Sequence, residues 1–192
     1  MSLTRRTFLT TAACAIATTA KAAEPFPVNM SEGKNLDYKF QRREMEFATN
    51  EPAGTIVVDA VHRFLYHVQG GGQATRYGVA VGKATHAWTG EVIIKKMKEW
   101  PTWIPAPYHI ATKPSLAQYL PNGMPGGPDN PLGARAMYLF KGEVDTINRI
   151  HGSAKLSDIG KRATAGCIGM LNADIIHLYG NVSVGTRVVM LG

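Results

Sequence analysis

Residues 55–81 read TIVVDAVHRFLYHVQGGGQATRYGVAV, and the spacing of short β-branched runs and turn residues in this stretch decides the fold class. Thr55-Ile56-Val57-Val58-Asp59 has the length and composition of a buried strand. Phe64 to Val68 is a second strand, Gly70-Gly71-Gly72 a hairpin-type turn, and Thr75 to Val81 a third strand. Three strands at that spacing predict a mainly β domain with antiparallel pairing.

Upstream, Pro52-Ala53-Gly54 reads as the turn that opens the domain. Glu24 to Asn50 is polar and carries Pro25, Pro27 and Gly33, which predicts an extended arm with little core of its own. Gln41 to Phe47 is a short helix or strand laid against the domain. Downstream, Thr85–Thr89 and Glu91–Lys96 continue the β pattern, with Trp88 as a core candidate. The run Trp100-Pro101-Thr102-Trp103-Ile104-Pro105-Ala106-Pro107-Tyr108 is too broken by proline for a helix or central strand. Its Trp100, Trp103 and Tyr108 read more readily as packing over an open end of the sheet than as a groove lining.

Lys113 to Tyr119 predicts a short helix, and Pro121 to Gly133 a long Gly/Pro loop placed to act as a flap. Ala134 to Phe140 returns to strand, and Thr146 to Ile150 leads into His151. Asn172 is expected to cap a helix over Ala173–Tyr179, and Val182 to Leu191 to close as a strand pair around Gly185.

The chain has 192 residues, 45% hydrophobic and 18% charged, which fits one globular domain with a sizeable core. Residues 1–22 read as a targeting segment. Thr4-Arg5-Arg6-Thr7-Phe8-Leu9 is a twin-arginine pattern, the apolar run to Ala20 follows, and Ala20-Lys21-Ala22 offers small residues for cleavage. The run is too short and Thr-rich to span a bilayer as a mature helix, so export without stable membrane insertion is expected. The division is then 1–22 leader, 23–50 arm and 51–192 main domain. Losing Arg5, Arg6 and Lys21 takes the net charge of +7 down by three, to +4. That surplus suits an acidic polymer, and no basic cluster interleaved with aromatics indicates nucleic acid.

Cys14 lies in the leader, which leaves Cys167 alone in an oxidising compartment, where a reactive role or simple burial are the two readings. His151 stands sixteen residues earlier in Ile-His-Gly-Ser, and Gly152, Gly166 and Gly169 flank the pair. A thiol, an imidazole to activate it and N–H groups beside the cysteine are the parts of a cysteine acyl-transfer site. His62, His67, His86, His109 and His177 are scattered and make no close-spaced set with Cys167, so no metal is expected.

The stretch RIHGSAKLSDIGKRATAGCIGMLN, Arg149 to Asn172, resembles the catalytic signature of the L,D-transpeptidase (YkuD-type) family. The likeness extends over roughly Thr55 to Leu191. It implies a β-sandwich or barrel-like domain with few helices, Cys167 as nucleophile, His151 as base, and the Gly152 carbonyl orienting the ring. It also implies an oxyanion hole from the N–H groups of Ala165, Gly166 or Cys167, and no cofactor. The implied substrate is the peptidoglycan stem peptide, cut between diaminopimelate and D-Ala, with a second stem, a protein or a D-amino acid as acceptor. Ala165 stands where many members have histidine, and Gly169 where many have arginine. Arg149 and Arg162 are the nearest cations to take over anchoring, with Ser153 and Thr164 as further substrate-binding candidates. Two rivals are a peptidase using water as acceptor and a wall-binding protein with a decayed site.

Overall fold

A computed structural model of the chain describes residues 23–83 and 88–191. The expected leader and the stretch around His86 lie outside the described residues. Among the described residues the strands are β1 (Arg43–Glu46), β2 (Ile56–Asp59), β3 (Phe64–Gly70), β4 (Gln73–Gly78), β5 (Val81–Gly82), β6 (Gly90–Glu99), β7 (Arg135–Lys141), β8 (Val144–His151), β9 (Arg162–Thr164), β10 (Ile168–Gly169) and β11 (Arg187–Leu191). The α-helices are α1 (Pro107–Thr112) and α2 (Asn172–Tyr179), and short 3-10 helices cover Glu32–Asn35, Tyr38–Phe40 and Pro114–Tyr119.

Nine strands form one sheet in the order β1-β4-β3-β2-β11-β6-β7-β8-β10, and β5 pairs with β9 in a second. The expected mainly β fold is what forms. Its pairing is antiparallel except for β2–β11, β8–β10 and β5–β9, which are parallel. These three join strands distant in the chain, where no hairpin imposes an antiparallel course. β2 sits inside the sheet between β3 and β11 and buries Ile56, Val57 and Val58, so it is apolar on successive residues. β1 lies at the edge, and its Arg-Glu-Met-Glu sequence suits an exposed strand border.

The main core collects Ile56, Leu65, Tyr77, Ile94, Met137, Leu139, Ile150 and Ile168 from the sheet with Ile175 and Leu178 from α2. The arm contributes more than an extended course. Leu36 joins Ile159 and Leu171 in a second buried cluster, with Phe40 against it. Arg42 reaches Asp174 at 3.1 Å. Glu24 pairs with the buried guanidinium of Arg135 and accepts the Trp100 indole N–H at 2.8 Å.

Several local expectations are corrected. The short helix expected from Lys113 forms as a 3-10 helix over Pro114–Tyr119, one residue after α1. Val182–Thr186 is a turn, and β11 is the one strand of the segment expected to form a pair. Its partners β2 and β6 come from elsewhere in the chain. Asn172 is the first residue of α2, whose N-cap position is Leu171 without a side-chain cap. The Asn172 amide is used instead on the loop residues Ala134 and Ser153 beside β7 and β8.

Candidate active site

β8 ends on His151, which is paired with Ala136 of β7 on one side and Gly169 of β10 on the other. The chain then turns at Gly152, whose N–H donates to the carbonyls of Leu132 (3.0 Å) and Arg135 (3.1 Å). Asn172 Oδ1 accepts the N–H groups of Ala134 at 2.9 Å and Ser153 at 3.1 Å. A Cβ at Gly152 would lie 2.2 Å from that Oδ1, so glycine is required there by contact. In the space so fixed, His151 Nδ1–H donates to the Gly152 carbonyl at 2.7 Å. With the proton on Nδ1, Nε2 of the neutral ring is the basic nitrogen.

Cys167 follows the turn after β9. The Thr164 hydroxyl donates to the Cys167 carbonyl and closes the turn. Gly166 has φ +120°, a conformation side chains resist. Gly82 packs on it so closely that a Cβ would stand 2.8 Å from Gly166 Cα. The Trp88 indole N–H points at the Gly166 carbonyl, 3.4 Å away. The N–H groups of Ala165, Gly166 and Cys167 donate to none of the described residues.

Cys167, His151, Arg149, Thr164 and Ala165 line one cleft of about 670 Å³. Gly152 and Gly166 are not in its lining. Ser153 and Arg162 are not in the lining; Ser153 is tied to Asn172, and Arg162 donates to the Gly82 carbonyl at 3.1 Å. Trp103 and Tyr108 line the cleft, contrary to the expected packing over a sheet end, because the prolines carry the chain across the site. Trp100 instead packs edge-on to Phe26 of the arm. The long loop is a stitched wall: buried Asn130 donates to the carbonyls of Pro101, Met124 and Pro125, and Pro131 and Leu132 face the cleft. His109, Tyr138, Ile147 and Lys96 also line it, and the sequence reading had assigned none of them to the site.

Burial pushes the His151 imidazole below its ordinary value, helped by the Arg149 charge and opposed by hydrogen bonds to the backbone of Gly152 and Pro131. Burial pushes the Cys167 thiol up, opposed by a backbone hydrogen bond and the charge of Arg149. Both groups are therefore neutral at rest, a thiol and a basic imidazole lining one cleft.

The family model of YkuD, the L,D-transpeptidase catalytic domain, matches residues 53–190. The chain belongs to the L,D-transpeptidase catalytic-domain family. The Escherichia coli protein described as probable L,D-transpeptidase ErfK/SrfK is 31% identical over 140 residues, 72% of this chain and 44% of that protein. Probable L,D-transpeptidase YbiS of the same organism is 32% identical, over 70% of this chain and 43% of its own length. The chain thus spans less than half the length of these curated relatives. Among solved structures, a Brucella melitensis protein described as a probable carnitine operon oxidoreductase is 44% identical. It covers 85% of this chain and all of its own, with a TM-score of 0.55. An Enterococcus faecium L,D-transpeptidase shares the fold at 19% identity and a TM-score of 0.53, over 73% of this chain and 50% of its own.

Proposed function

We propose that this L,D-transpeptidase-family chain is an exported acyltransferase acting on peptidoglycan tetrapeptide stems. The observation that carries the reading is one cleft holding a thiol and an imidazole fixed as the Nδ1–H tautomer, beside a turn whose three N–H groups donate to none of the described residues. Cys167 Sγ attacks the carbonyl of the diaminopimelate–D-Ala bond while His151 Nε2 takes the thiol proton. The N–H groups of Ala165, Gly166 and Cys167 hold the oxyanion. The C–N bond then breaks, D-Ala leaves with the proton from His151, and a thioester remains. An acceptor amine attacks it, gives its proton to His151, and restores the thiol. Product analysis with purified stem, with and without an amine, tests this; hydrolysis alone would move the reading to a peptidase.

The neutral resting pair has a pH signature. kcat/KM should rise as His151 loses its proton below the ordinary 6.5 and stay level through neutrality. Alkylation of Cys167 by iodoacetamide should keep rising with pH beyond the ordinary thiol value of 9.0, because the thiol is raised. An alkylation rate already flat below pH 7 would mean a preformed thiolate and reject base catalysis by His151.

Export is proposed to use the twin-arginine route to the periplasm, on the strength of Arg5-Arg6. Replacing both with lysine should leave precursor in the cytoplasm. Normal periplasmic accumulation of that variant, measured by fractionation, would reject the route.

A further inference from the structure

The strand registers place four residues in one row across the floor of the cleft. Lys96 of β6 is paired with Tyr138 of β7, and Tyr138 with Arg149 of β8. Ile168 of β10 is paired with Ile150, and continuing that parallel register sets Cys167 level with Arg149. Residues level with one another on neighbouring strands share a face, and all four line the cleft.

The charges in this row are not equivalent. Arg149 Nη1 and Nη2 donate to both carboxylate oxygens of Asp145 at 2.6 and 2.9 Å, and Nη1 also donates to the Asn148 carbonyl. Its guanidinium is therefore already committed to a carboxylate. Burial would raise the Asp145 carboxyl, but hydrogen bonds from Arg149 and the Ile147 N–H, with the charges of Arg149 and Lys96, hold it low. Lys96 makes no ion pair among the described residues. Its Nζ lies 5.0 Å from the Tyr138 ring centroid, and the Arg149 guanidinium 4.3 Å from the same ring. The ring holds the two cations in place and spaces them. Among the described residues no aspartate or glutamate lines the cleft, and Asp145, which feels the Lys96 charge, has both oxygens bonded by Arg149.

We propose that Lys96, seated on Tyr138, is the subsite for a carboxylate of the acyl donor, and that Arg149 with Asp145 is the fixed support between it and Cys167. With strands about 4.8 Å apart, an ammonium over Tyr138 stands roughly 10 Å from Cys167. An extended peptide covers that distance in about three residues, at about 3.3–3.6 Å each. The ligand is thus a peptide with a carboxylate on the acyl side of the scissile bond, about three residues away or at the end of a long side chain. Gly169 offers no side chain for such a contact, and Lys96 supplies the charge from the opposite end of the row. The inference rests on the acyl-transfer reading for which bond is scissile.

The test is a binding measurement that needs no turnover. In a Cys167→Ala background, calorimetry compares the tetrapeptide stem with an analogue whose acyl-side carboxylates are amidated. The acid should bind about fivefold tighter than the amide, and the ratio should shrink at high salt. Lys96→Met should abolish that ratio while leaving Tm unchanged. Asp145→Asn, which leaves Arg149 uncompensated, should enlarge it. Equal affinities for acid and amide, or a ratio that survives in Lys96→Met, would overturn the subsite. Parent protein that discriminates through Lys96 yet forms no thioester would reject the acyl-transfer reading and keep the carboxylate subsite. Thioester formation with equal acid and amide affinities would reject the subsite alone.

Discussion

Incubated with a tetrapeptide stem and no acceptor amine, the protein is expected to release D-Ala and to carry an acyl adduct on Cys167. The expectation follows from two separable half-reactions, of which only the second needs the amine. Intact-mass analysis reads the adduct, and a peptide map places it on the sulfur. His151→Ala should slow acylation by roughly 10²–10⁴, the usual weight of a general base, here against a thiol that burial keeps protonated. Cys167→Ser should keep the fold and acylate poorly, because a hydroxyl is far harder to ionise than a thiol. A decayed site predicts no adduct after long incubation. A folded protein with Cys167 unmodified under these conditions would remove the catalytic hypothesis altogether.

Asn172→Ala is expected to cost stability and rate together. Its Oδ1 accepts two N–H groups, from Ala134 and Ser153, and each loses its partner in the variant. Two N–H groups left unsatisfied cost about 2–4 kcal/mol, which lowers Tm by about 10 °C in a domain of this size. The same amide fills the space beside Gly152, whose carbonyl aims the His151 ring. Loosening that carbonyl should reduce kcat by roughly 10–100-fold, the scale of a misplacement near 1 Å. Asn172→Asp keeps an acceptor for both N–H groups and should recover most of the stability and much of the rate. Thermal unfolding and acylation kinetics check both. An Ala variant with the parent's Tm and kcat would show that Asn172 positions nothing.

The other site residues divide by how local their signal is. His151, Cys167 and the glycines around them were legible because their requirements are written within a few residues. A thiol next to glycine, a histidine followed by glycine and a Thr-Ala-Gly turn each constrain their own backbone. The strands of residues 55–81 were legible for the same reason, since β-branched runs and a Gly-Gly-Gly turn are local features. Asn172 was misread as a cap because helix starts have a local rule for asparagine. Its partners, Ala134 and Ser153, lie 38 and 19 residues away.

By itself, the sequence determined a mainly β domain and singled out Cys167 and His151, which the fold brings to one cleft. It also singled out the proline-broken aromatic run that crosses the site. The tertiary structure alone decided which strands pair in parallel, that Trp103 and Tyr108 face the cleft, and that Lys96 shares a row with Tyr138, Arg149 and Cys167. The sequence Lys95-Lys96-Met97-Lys98-Glu99 has too little apolar alternation to show which lysine points where. A register irregularity between Ile94 and Lys96 then resets the face. A one-residue slip in a strand moves a side chain to the opposite side of the sheet. The composition of β6 is blind to that choice, and only its pairing with β7 makes it.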